Sequence, residues 1–158
     1  MARHTAIATI KAPIGVVFDL WTNLARMGEW VGGVTRVSDV SGPVARVGTR
    51  YTVWFGRMAS PTEVLEADRP HLFATRFGNR LLRGTSRAVF EEVDGSTRLT
   101  QVFETVGRVS AISSWLFSRG SYAGSFQGEL NHFARLAEEA AGAEEAPAAS
   151  PPPPAPAA

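Results

Sequence analysis

The chain contains no cysteine. That excludes disulfide frameworks, thiolate metal sites and cysteine nucleophiles, and it suits a reducing compartment. Lysine occurs once, at Lys11, and the other cations are all arginine. With abundant alanine, glycine and proline, this reads as codon bias rather than as a recognition surface. An excess of one charge is also lacking. Sixteen basic residues against 15 acidic ones leave a formal net charge of +1, so no field favours nucleic acid or an anionic membrane. No apolar run approaches the ~18–20 residues needed to cross a bilayer, and no integral membrane segment is expected. No leader pattern is visible, because Met1-Ala2-Arg3-His4 runs straight into strand-like alternation. A cytoplasmic location is the expectation. What is present is a chain of 158 residues, 44% of them apolar, a size at which one domain buries a substantial core.

Composition divides the chain near residue 140. Residues 141–158 hold six of the ten prolines and no leucine, isoleucine, valine or aromatic residue. Such a segment buries too little apolar surface to offset its ordering entropy. The expectation is a folded domain over 1–140 and a disordered Ala/Pro-rich tail over 141–158. Pro151–Pro154 fits a short polyproline II stretch. The tail then serves either as a solubilising extension or as a weak ligand for a protein partner.

Within 1–140 the hydrophobic period changes twice. Residues 3–11 alternate, with Ala6, Ala8 and Ile10 on one side and Thr5, Ile7 and Thr9 on the other. Pro13 suits the first position of a helix. Two short helices follow, IGVVFDLW and LARMGEW, the second capped by Thr22 or Asn23 and stopped by Gly32-Gly33. From residue 34 the pattern is β, with strands near 34–40, 48–56, 61–69, 71–78, 84–93 and 97–106. Asp94-Gly95 is the strongest hairpin signal. The connections are short, so successive strands pair antiparallel. Residues from about 111 to 140 read as a helix, with an apolar stripe at Ile112, Trp115, Tyr122, Phe126, Leu130, Phe133 and Ala137. The class is therefore α+β: a curved antiparallel sheet of about seven strands wrapped on a long C-terminal helix, with two short helices after strand 1. A sheet bent this far need not fill its interior, and the space between sheet and helix is the default small-molecule site.

No constellation stands as a catalytic site by itself. His4, His71 and His132 have no ligand spacing, so no metal is expected. Ser110, Ser113 and Ser114 lie in no GxSxG context, and no glycine-rich phosphate loop follows a strand. No cofactor is expected either. The aromatic residues carry more information. Arg50, Arg76, Arg87, Arg98 and Glu104 orient their strands by facing water. That turns Tyr51, Phe55, Phe73, Phe77, Phe90, Leu99, Gln101 and Phe103 inward, where each either packs the core or lines a cavity. Gln101, between Leu99 and Phe103, needs hydrogen-bond partners from the backbone or from a ligand oxygen. Arg119 falls near the centre of the helix stripe. There it meets an acidic or carbonyl group of a ligand, pairs with an internal carboxylate, or reaches out at the rim. Gly120, Gly124 and Gly128 lie on the opposite face and permit a kink. Residues 108–121, with Trp115-Leu116-Phe117, are thus a candidate gate, and the loop 78–84, with Leu81-Leu82, is a candidate second lip.

The opening IKAPIGVVFDLWTNLARMGEWVGGV resembles that of the START/Bet v 1-like (SRPBCC) superfamily, in particular its polyketide cyclase/dehydrase and lipid-transport branch. The matching residues are Ala12-Pro13, Val17-Phe18-Asp19-Leu20, Trp30 and Val34, then Val47-Gly48-Thr49, Glu66 to Pro70, Asp94 to Leu99 and Phe126 to Glu138. The resemblance spans about 5–140. It implies the helix-grip fold, with an internal cavity that takes a hydrophobic or aromatic small molecule, lipid- or polyketide-like. Trp30, Tyr51, Phe55, Phe73, Phe77, Phe90, Gln101, Phe103, Trp115, Arg119, Tyr122 and Phe126 are the expected ligand-binding residues. The same superfamily holds cyclases, for which Arg119 and Tyr122 are the candidate proton-transfer groups here. It also holds toxin-like and interaction modules, in which the cavity is vestigial.

Overall fold

A computed structural model of the chain describes residues 2–80, 83–106 and 123–145. The alternation near the start forms β1 (Ala2–Ile10), which buries Ala6, Ala8 and Ile10 and exposes Thr5, Ile7 and Thr9. Pro13 sits just outside α1 (Ile14–Trp21), in the cap position with extended ψ, rather than inside its first turn. Its missing N–H leaves nothing unsatisfied there. Thr22 closes this helix, its hydroxyl donating to the Phe18 carbonyl oxygen at 3.0 Å. The second predicted short helix forms as a 3-10 helix, Leu24–Glu29, with Trp30 in its C-cap position. Asn23 holds its cap position without a side-chain bond, and so short a segment gains little from α geometry.

Six further strands follow: β2 (Val34–Ser38), β3 (Arg50–Phe55), β4 (Met58–Asp68), β5 (Leu72–Gly78), β6 (Arg83–Val93) and β7 (Ser96–Val106). All seven form one antiparallel sheet in the order β1-β7-β6-β5-β4-β3-β2. Asp94 and Gly95 both take positive φ, 51° and 79°, which lets Val93 pair with Ser96 across a two-residue turn. A bulge between Val64 and Glu66 bends β4 and shifts its alternation, so that Val64 and Ala67 both join the core. This is the helix-grip architecture.

The described part of the last helix, α2, runs Ala123–Glu145. It continues past the domain end predicted at residue 140, and Ala141 is buried. The start of the segment read as a disordered tail is thus a helix. Alanine and glutamate are strong helix formers, and Ala141 extends the buried row Leu130, Phe133 and Ala137 by one more turn. Residues 146–158 lie outside the described residues, as do 107–122, where the sequence reading starts this helix. Among the described residues no helix is long and apolar enough to cross a membrane.

α2 packs along β1 and reaches α1. Its polar side chains finish the open edge of β1. The Gln127 amide accepts from the Ile7 N–H at 3.3 Å and donates to the Ile7 carbonyl oxygen at 2.9 Å, and Glu138 accepts from the Lys11 N–H at 3.0 Å. Helix side chains thereby supply what a neighbouring strand would. On the outer face the arginines form cross-strand pairs, Arg76 with Glu63 at 2.8 Å among them. These are solvent-exposed and contribute about 1 kcal/mol at most.

Candidate functional site

Directly opposed residues in an antiparallel sheet share a face, so the register lays out the inner surface row by row. At one end the row Ala8–Leu99–Phe90 lies under α1 and α2. Phe133 of α2 meets Trp21 and Trp30, each at 5.0 Å between ring centroids. Phe18 meets Phe90 at 5.3 Å and Phe73 at 6.3 Å. The contacts are mostly edge to face, the favoured geometry for aromatic quadrupoles. This end is filled by its own side chains.

The other end mixes rings with hydroxyls. One row is Tyr51–Thr62–Phe77–Gly84–Thr105, and the row beside it is Val64–Thr75–Ser86–Phe103. Phe77 and Phe103 stack at 4.9 Å and 20°, and Phe126 of α2 tilts against Phe103 at 5.9 Å. Gly84 makes the stack fit. A Cβ there would run into the Glu104 carbonyl oxygen and stand 2.9 Å from Cζ of Phe77. Phe77, Gln101, Phe103 and Phe126 are only half-buried, unlike Phe90 and Phe133 at the filled end.

The polar groups at this end are incompletely bonded. Gln101 Nε2 donates to Ser86 Oγ at 3.1 Å, which leaves the Ser86 hydroxyl hydrogen available. Thr62 donates to the Ser60 carbonyl oxygen at 3.2 Å. Tyr51 is 4% exposed and Thr75 7%, yet neither hydroxyl has a hydrogen-bond partner among the described residues. Burial alone pushes the Tyr51 phenol far above its ordinary value of 10.0, so it stays protonated. The arginines of the same strands, Arg50, Arg76 and Arg87, face the opposite side and are exposed. A solvent-open depression of about 470 Å³ is lined by Tyr51, Thr62 and Phe77 of this row together with Arg50, Glu63, Arg76 and Arg83 from the outward side.

Glu129 ties α2 to the loop after Trp30, accepting from the Gly32 N–H at 3.0 Å. Its half-burial raises its pKa and the Gly32 bond partly lowers it again. Among the described residues no group of three His, Asp or Glu side chains can hold a metal ion.

Residues 1–138 match the family described as polyketide cyclase / dehydrase and lipid transport. The chain belongs to this family. Solved structures of similar fold include protein BH1534 of Bacillus halodurans, 14% identical, with a TM-score of 0.66 over 87% of this chain and 98% of that one. Protein Ms6760 of Mycobacterium smegmatis is 21% identical, with a TM-score of 0.61 over 85% of this chain and 89% of that one. A norcoclaurine synthase of Thalictrum flavum is 11% identical, with a TM-score of 0.63 over 87% of this chain and 94% of that one. The comparison with curated proteins finds no match.

Against this polyketide cyclase/dehydrase and lipid-transport frame, the residues expected to bind ligand separate into groups. Trp30, Phe73 and Phe90 sit in the filled aromatic cluster. Tyr51, Phe77, Gln101, Phe103 and Phe126 come together at the mixed end. Phe55 lies further along β3, opposite Met58 and Val34. Trp115, Arg119 and Tyr122 lie outside the described residues, as do the whole candidate gate 108–121 and Leu81-Leu82 of the second lip. The sequence reading left out Thr62, Thr75 and Ser86. Thr75 carried a usable signal, since it lies between Phe73 and Phe77 in the same inward alternation. Ser86 carried none, because its place beside Gln101 depends on register.

Proposed function

We propose that this protein binds a hydrophobic, ring-containing small molecule at the Tyr51–Phe77–Phe103 end of the concave face, beneath α2, and that it does so as a carrier without a cofactor. The contrast between the two ends of the interior carries the reading: one is closed by its own rings, the other holds half-buried rings beside underbonded hydroxyls. A ligand and its site that together bury roughly 400 Å² of apolar surface gain about 10 kcal/mol. After an association cost of about 4 kcal/mol, the Kd falls in the range of tens of micromolar before any hydrogen bond is counted. Carriage is favoured over cyclisation because, among the described residues, no carboxylate or histidine bonds the Tyr51 or Thr75 hydroxyl as a general base would; His4 stands in the row of Thr75 but three strands away, opposite Phe103. The absence of cysteine fits work in a reducing cytoplasm.

Two measurements test this. Native mass spectrometry of protein purified from its own host's cytosol is expected to show a discrete co-purifying mass. Displacement of the uncharged dye 1-aminoanthracene is expected to report binding that Phe103→Ala weakens by about tenfold. A bare protein mass, together with no dye binding, overturns the proposal.

A further inference from the structure

Three hydroxyls at the mixed end, the buried ones of Tyr51 and Thr75 and the half-buried one of Ser86, each have a hydrogen to donate, and none of them donates to an acceptor among the described residues. More than nine in ten buried polar groups in folded proteins are bonded, and leaving one unbonded costs about 1–3 kcal/mol. Tyr51 is the most deeply placed of the three, at 4% exposure. Its acceptor in the working protein is then a water or an oxygen of a molecule that the site takes up.

We infer that Tyr51 sets the specificity of the site, its phenol donating a hydrogen bond to an uncharged carbonyl or phenolic oxygen of a fused aromatic ligand whose far ring lies on Phe77 and Phe103. This rests on the ligand-binding reading above. Spacing supports it. Tyr51 stands opposite Thr62, and Thr62 opposite Phe77, so the phenol and the ring stack are two strands apart, about 10 Å. A fused ring system spans that gap and a single ring does not. Charge supports it as well. The inner face beside Tyr51 shows hydroxyls and an amide, and the arginines that share its depression, Arg50 and Arg76, point outward and are both paired with Glu63. A carboxylate brought here without a counter-charge loses several kcal/mol of hydration. The Tyr51 and Thr75 hydroxyls each still have a hydrogen to give, and an oxygen on the ligand can accept it. The site selects neutral oxygenated aromatics against fatty-acid-like anions.

The test uses the full chain and three matched probes, fluorene, fluorenone and fluorene-2-carboxylate, with Kd read by quenching of tryptophan fluorescence. Wild type is expected to bind fluorenone about tenfold tighter than fluorene, and the carboxylate weakest. Tyr51→Phe is expected to abolish the fluorenone preference while leaving fluorene affinity within about twofold. Its Tm is expected to stay level or rise, because an unbonded hydroxyl is removed at constant shape. A lower Tm would show an internal partner for the phenol and overturn the inference. Equal weakening of all three probes would reduce Tyr51 to a shaping role and overturn it too, as would preference for the carboxylate. Fluorene binding without a fluorenone preference defeats the role of Tyr51 alone. Failure of wild type to bind even fluorene defeats the ligand-binding reading and this inference with it.

Discussion

Glu129 carries a carboxylate on the helix that covers the sheet, and its surroundings work against its charge. Burial raises its pKa above the ordinary 4.5, and the Gly32 N–H only partly offsets that. The folded state therefore holds this proton more tightly than the unfolded chain does. Between pH 4.5 and the raised value, stability falls as pH rises, and above that window the folded protein carries the full cost of a half-buried charge. Glu129→Gln keeps an oxygen to accept from Gly32 and removes the charge. Thermal melts are expected to show a Tm higher by about 2 °C at pH 7 and a flatter pH profile above pH 4.5. A lower Tm at pH 7 would show that the ionised form is the one the fold needs. Tyr51 is the uncharged counterpart: burial also raises its pKa, but a phenol gives up nothing by staying protonated at neutral pH. Both groups could be seen in the sequence. Their burial could not, because it depends on what packs over them.

At the scale of elements, most of the fold was legible. The strands fall within a few residues of their predicted bounds because alternation and turn residues act locally. Asp94-Gly95 formed the predicted hairpin since only such residues adopt two successive positive φ angles easily. The second short helix formed as predicted, in the 3-10 form, whereas α2 ran past its predicted end, because local propensity is weak where a few residues decide the outcome. Gly84 was read as the end of the loop 78–84 and the start of the strand 84–93. It lies inside β6, where Phe77 on one side and the Glu104 carbonyl on the other leave no room for a side chain. Gly84→Ala is expected to lower stability by about 1–3 kcal/mol in urea unfolding, and to disturb the Phe77–Phe103 stack enough to weaken 1-aminoanthracene binding. Unchanged stability would mean that β6 and β7 separate there at little cost.

The whole molecule is one sheet closed by one helix, and its stability depends on how far that helix extends. Ala141 is buried beyond the predicted domain end, on a helix described as far as Glu145. A chain ending at Glu145 is expected to melt with the full-length protein. One ending at Ala140 loses the last buried alanine and is expected to melt about 2–4 °C lower. Equal melting of both would place the boundary at 140 after all. The sequence by itself determined the α+β class, the strand order along the chain, the inward aromatic set and the family resemblance, because periodicity, turn chemistry and short motifs are properties of neighbouring residues. Only the tertiary structure decided that Trp30, Phe73 and Phe90 fill one end of the interior while Tyr51, Phe77, Gln101 and Phe103 border the other. Which side chains become neighbours across seven strands follows from register, bulges and the seating of α2, and these are settled by residues far apart in the chain.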